Sequence, residues 1–165
     1  MRIVSDQGPC FQEGAQDRTV RLHMTPAHRS DAVDRSAVST VVDFDGGTEV
    51  IPAARDVVED FVARLGEAGV RTGDTFLDSA RLVTSELVTN ALRHAPGRCR
   101  LRMTVVDGSV EIAVSDTGDG FPTFLPRDPQ RIGRHGLEIV TRLCDQVITK
   151  PDATGKTVYA RLPLT

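Results

Sequence analysis

Ser85-Glu86-Leu87-Val88-Thr89-Asn90-Ala91-Leu92-Arg93-His94-Ala95 is the stretch that organises the reading of the whole chain. Glu86 and Asn90 stand four residues apart in a helical pattern and therefore share one face, while the opposite face is apolar. A carboxylate and an amide presented together suit a metal–phosphate site. The carboxylate can orient or deprotonate a nucleophile, and the amide oxygen is a hard ligand for Mg²⁺. A merely solvated helix face would carry the same two residues. The pair gains weight from three motifs that follow it in order: Asp116-Thr117-Gly118-Asp119-Gly120, then Gly133-Arg134-His135-Gly136-Leu137, then Gly155-Lys156-Thr157.

Working outward, the quoted segment lies in a predicted helix over about 75–94. Its apolar stripe is Leu77, Ala80, Val83 or Thr84, Leu87 and Ala91, with Asp74 or Thr75 as the cap and Pro96-Gly97 as the stop. Upstream, Pro52 opens a helix over about 53–68 that presents Val57, Val58, Phe61 and Leu65 on one face and ends at Gly66 and Gly69. Val38–Phe44 reads as a strand before a Gly46-Gly47 turn. Downstream, Leu101, Met103 and Val105 alternate with Arg100, Arg102 and Thr104. Asp107-Gly108 signals a hairpin, and Val110, Ile112 and Val114 continue the alternation to Asp116. A loop rich in Pro, Gly and Asp spans about 117–135, a helix about 136–145, and two last strands about Gln146–Thr149 and Thr157–Leu162. Strands alternate with helices yet pair by hairpins. The predicted fold class is therefore α+β, a two-layer sandwich with helices on one face of a mainly antiparallel sheet. Residues 1–37 are polar, mix their charges and show no period. They read as a flexible N-terminal tail before a folded domain over 38–165.

The 165 residues suit one domain plus that tail. With no Trp, one Tyr, a net charge of −3 and scattered basic residues, the chain lacks both stacking platforms and a basic patch, so direct nucleic-acid binding is not expected. The three cysteines, Cys10, Cys99 and Cys144, are odd in number and have no zinc spacing. A disulfide framework is not expected, a reducing cytoplasm is expected, and Cys99 and Cys144 read as buried packing residues. His23, His28, His94 and His135 form no metal-ligand cluster. No stretch has the length of a signal peptide or a membrane span.

The motifs supply chemistry of one kind. Asp116 ends a strand, and a buried carboxylate there can accept a hydrogen bond from an exocyclic amine such as that of adenine. A simple Asx-type turn is the alternative. Gly118 and Gly120 allow close approach of a ligand to the backbone. The long loop behind them carries Arg127, Arg131 and Arg134 and passes Gly133 and Gly136 into a helix start. Amides at such a start bind phosphate and arginines add bidentate contacts, which gives the loop the character of a lid. Neither a Walker-type loop nor a GxGxxG fingerprint is present. A nucleotide site must therefore be built from the helix face, the Asp-Gly turn and the lid.

The order Glu-x-x-x-Asn, Asp-x-Gly-x-Gly, Gly-rich lid, Gly-x-Thr, over about residues 48–163, resembles the ATP-binding domain of the GHKL superfamily. Within it, the wording of residues 85–95 is similar to the bacterial anti-sigma-factor serine/threonine kinases. The resemblance implies the histidine kinase-like ATPase fold of the Bergerat type, with ATP and Mg²⁺ as cofactors. It implies Asn90 as the Mg²⁺ ligand, Glu86 as the catalytic residue activating a partner's Ser or Thr hydroxyl, and Asp116 as the adenine-reading carboxylate. Gly118 and Gly120 would form the turn, Gly133 and Gly136 would be the lid glycines near the phosphates, and Thr157 would support the adenine pocket beside Asp116. Arg93, Arg131 and His135 join the candidate ATP-binding set, as does His94, for which a packing role is the alternative. Arg134 stands where many relatives have glycine and reads as a contact to the terminal phosphate or as a restriction on the lid.

The implied function is that of an ATP-dependent anti-sigma factor and protein kinase. It would pass the γ-phosphoryl group of ATP to an anti-anti-sigma protein of the STAS type, hold a sigma factor, and switch partners when the added charge weakens one contact. Relatives of this type often form homodimers. No membrane partner is expected. Two other readings stand beside this one. A nucleotide-gated binding module would change partner affinity without phosphotransfer. The catalytic half of a histidine kinase would need a dimerisation helix pair carrying a phosphoacceptor histidine. The residues before 48 show no such length or heptad pattern, and His23 and His28 lie in irregular sequence.

Overall fold

The computed structural model of the chain describes residues 21–22, 38–47, 49–118 and 135–165. The elements run β1 (Arg21–Leu22), β2 (Ser39–Phe44), α1 (Val50–Glu67), α2 (Phe76–His94), β3 (Cys99–Val106), β4 (Ser109–Asp116), α3 (His135–Leu143), β5 (Gln146–Pro151) and β6 (Lys156–Pro163). The strands form one sheet in the order β1-β2-β3-β4-β6-β5, with every pair antiparallel. The two-layer α+β architecture expected from the pattern is the one observed. Inside the stretch read as a tail, Arg21 and Leu22 pair with Asp43 and Val42 and add a short strand to the sheet edge.

Period-two alternation sorts the two faces of the sheet. Val42 and Phe44 of β2, Leu101, Met103 and Val105 of β3, Val110, Ile112 and Val114 of β4, and Val158, Ala160 and Leu162 of β6 are buried in one core. On the other face, Arg102 and Arg161 approach Glu111 at 3.4 and 3.8 Å, and the Arg102 and Lys150 cations stand over the Tyr159 ring. The helices cover the apolar face. α1 buries Val50, Ala54, Val57, Val58, Phe61 and Leu65, a 3.6-residue stripe. α1 packs on α2, which lies across β3, β4 and β6.

Turn chemistry fixes the joints. Asp107 and Gly108 take φ of 48° and 77°, the two positive values that a type I′ hairpin needs to match strand twist. α1 ends in a Schellman motif: the Val70 N–H donates to Leu65 O at 2.9 Å, the Gly69 N–H donates to Gly66 O at 3.0 Å, and Gly69 supplies φ of 72°. α1 begins at Val50, upstream of the predicted start. Pro52 sits inside its first turn, where an N–H has no intrahelical acceptor to lose. The predicted cap of α2 is Thr75 by position only, since its side chain makes no capping hydrogen bond.

Candidate functional site

Helical spacing brings Glu86 and Asn90 to one side of α2, as the sequence suggested. Asn90 is buried, and its Nδ2 has no hydrogen-bond partner among the described residues. A buried amide that the fold leaves unpaired is costly unless something else satisfies it. Glu86 is half-buried, and the first turn of α3 stands directly on it: a Cβ built on Gly136 would overlap the Glu86 carboxylate. The neighbouring Ser85 accepts a hydrogen bond from Arg55 Nε at 2.9 Å, which ties this turn of α2 to α1. Arg93 and His94 end α2 and are exposed.

The second half of the site is the end of β4. Asp116 is 4% exposed, and its Oδ1 accepts the Gly118 N–H at 2.9 Å. That is the Asx-type turn considered as the plain alternative. Oδ1 also accepts Lys156 Nζ at 2.7 Å, an ion pair closed off from water. The same ammonium reaches Gly118 O at 3.4 Å. Two glycines make room for this packing. A Cβ on Gly118 would lie 3.0 Å from Ala95 Cβ and 3.1 Å from both Asp116 Oδ1 and Lys156 Nζ, and one on Gly155 would overlap the Asp116 carbonyl oxygen. Cys99 pairs across from Asp116 on β3. Burial first, then the Asp116 and Asp43 charges, push its thiol up to about 11, so it stays protonated.

Thr157 does not stand beside Asp116. Its Cα partner on β4 is Ser115, and the two hydroxyls meet at 2.7 Å, with Asp152 Oδ2 a further acceptor for Thr157 at 3.2 Å. Adjacent strand residues point to opposite faces, so Lys156, the partner of Asp116, lies on the buried face with it and Thr157 lies on the other. The motif order alone pointed at Thr157 and passed over Lys156. The signal that finds the lysine is parity, because Val158, Ala160 and Leu162 face the core and residue 156 shares their side. Of the remaining candidates, Gly120, Arg131, Gly133 and Arg134 lie outside the described residues, and for His135 only the backbone is described, as the first residue of α3.

Among the described residues no group of three or more His, Cys, Asp or Glu could hold a metal ion by itself, and no helix is long and apolar enough to cross a membrane. The Asn90 amide oxygen and the Glu86 carboxylate, one turn apart on α2, are nevertheless fitting donors for Mg²⁺, which takes hard oxygen ligands and is commonly bound by one or two side chains plus substrate phosphates. Chemically, the arrangement offers a hard-ligand pair, a helix N-terminus above it, and a buried carboxylate at a strand end.

A family model described as the histidine kinase-like ATPase domain matches residues 48–162. The match takes in α2 with Glu86 and Asn90, the end of β4 with Asp116, α3 and most of β6. It spans well over half of the 165 residues, and by it the chain belongs to the family of histidine kinase-like ATPase domains.

Proposed function

We propose that the protein is an ATP-dependent serine/threonine kinase that phosphorylates an anti-anti-sigma protein and holds a sigma factor when that partner is absent. The observation that carries this reading is the placement of Glu86 beneath the first turn of α3, with Asn90 one turn along the same helix, its buried Nδ2 without a partner among the described residues. The wording of residues 85–95 supports the choice of partners. Asp116 takes the exocyclic amine of adenine. Asn90 would hold Mg²⁺, and the ion would supply charge neutralisation at the transferring group. The amides of the α3 start lie where the helix dipole favours anionic oxygen. Glu86 accepts a hydrogen bond from the acceptor hydroxyl and aligns its oxygen for in-line attack on the γ-phosphorus. The O–P bond to ADP breaks as the new one forms, and the hydroxyl proton passes to the carboxylate. The added phosphate then changes the charge of the docked partner and weakens its contact.

The test is phosphotransfer from γ-labelled ATP, with Mg²⁺, to proteins of a lysate from the same source. Wild type labels one small protein, Asn90→Ala labels none, and Glu86→Gln still binds ATP but loses labelling by about 10²-fold or more. If Glu86→Gln labels as well as wild type, Glu86 has no catalytic role. If wild type binds ATP and labels nothing, a nucleotide-gated binding module replaces the kinase.

A further inference from the structure

Lys156 is used by none of the roles assigned so far, and its placement is unusual. Its side chain is 2% exposed and that of Asp116 is 1% exposed. A buried ion pair is often no more stabilising than apolar residues of the same volume, so fold stability alone does not account for a lysine at this strand end. The bonds made within the pair leave a definite remainder. Among the described residues, the hydrogen bonds to Asp116 fall on Oδ1, from the Gly118 N–H and Lys156 Nζ. The carboxylate is thereby held in one orientation, with Oδ2 left as its acceptor. An ammonium has three donors. Lys156 directs one at Asp116 Oδ1 and one at Gly118 O, which leaves a third with no acceptor among the described residues. The strand end thus holds an acceptor and a donor that the described residues leave unused, in a place shielded from water where each is worth most.

We propose that Lys156 reads the nucleobase together with Asp116. Asp116 Oδ2 accepts an N–H of the 6-amino group, and Lys156 Nζ donates to the adjacent ring nitrogen N1. The pair makes the pocket specific for a base edge that carries an amine next to an unprotonated ring nitrogen. This inference rests on the ATP reading above and names how that site selects its base. A site built to hydrogen-bond a given atom discriminates strongly against an analogue lacking it, because its own buried group is then left unpaired.

The test compares ATP with 1-deazaadenosine 5′-triphosphate, in which C–H replaces N1, by calorimetric titration of the full chain. Wild type is expected to bind the deaza analogue about tenfold to a hundredfold more weakly than ATP. Lys156→Met is expected to bind the two alike, and Lys156→Arg, which keeps donors in place, to retain part of the preference. The cycle of two proteins and two ligands isolates the Lys156–N1 contact from any general loss of affinity. Equal binding of both ligands by wild type overturns the proposal without recourse to any variant, so a poorly folded Lys156→Met does not shelter it. An undiminished preference in folded Lys156→Met overturns it as well. If wild type binds neither nucleotide, the ATP reading itself has failed, a result distinct from binding both equally.

Discussion

Gly136 shows how one missing methyl group can join two elements. It is the second residue of α3, and a side chain there would meet the Glu86 carboxylate on α2. Alanine is the better helix former by about 1 kcal/mol, so Gly136→Ala sets local propensity against the site. We expect thermal stability to stay close to wild type while ATP affinity or phosphotransfer falls about tenfold, because α3 or Glu86 has to shift. Unchanged activity in that variant would show that the contact is slack. Gly155→Ala makes the opposite case. Its Cβ would meet the carbonyl oxygen of Asp116, a backbone atom in a paired strand that cannot swing aside. We expect a loss of about 1–3 kcal/mol in urea unfolding. At this scale the sequence was legible where placement follows from spacing, as for Glu86 and Asn90 on one side of α2. It misled at Thr157, where a motif's order says nothing of which face of a strand a residue takes. Lys156 became visible only once β6 was paired with β4 and its parity fixed.

Elements were legible to the extent that their ends carry their own chemistry. The β3–β4 hairpin was readable because Asp107-Gly108 is one of the few dipeptides that tolerate two positive φ values, and the structure has 48° and 77° there. A β-branched side chain at Gly108 would have to enter the left-handed region. Gly108→Val is therefore expected to cost about 1–2 kcal/mol, seen as a Tm lowered by several degrees with no change in nucleotide affinity, since the turn lies at the opposite end of β4 from Asp116. A matching loss of affinity would mean that the register of the hairpin, and with it the position of Asp116, had slipped. The start of α1 was less legible. Proline reads as an opening residue, but any position of the first turn spares its missing N–H, and the helix runs back to Val50. The boundary between β5 and β6 was blurred for a related reason. The turn between them is closed by Asp152, which accepts the Thr154 N–H at 2.9 Å and donates its own N–H to Gly155 O at 3.0 Å, contacts that pattern alone does not announce.

At the scale of the molecule, one apolar sheet face under the helices is what brings the scattered motifs together. The same layer that buries Leu101 and Ile112 buries Cys99 and Cys144. Burial is the first cause that pushes the Cys99 thiol up to about 11, with the Asp116 and Asp43 charges adding to it. Burial pushes Cys144 up to about 12, with Asp145 adding to it. Two consequences can be measured in a Cys10→Ser background. In the native state neither thiol reacts appreciably with a disulfide reagent at mildly alkaline pH, while both react on unfolding. Stability also acquires a pH dependence of known sign. The folded state favours the neutral thiols, and the unfolded chain ionises them from about 9 upward. The stabilisation is therefore complete below about 9 and declines as pH rises toward the folded values, with a slope of at most about 1.4 kcal/mol per pH unit for each thiol. The informative quantity is the difference in slope between Cys10→Ser and the same protein with Cys99→Ala and Cys144→Ala added. The cysteine-free chain should lose stability less steeply between about pH 9 and about pH 11. Identical slopes would mean that the thiols ionise as readily folded as unfolded, and that the layer over them admits water.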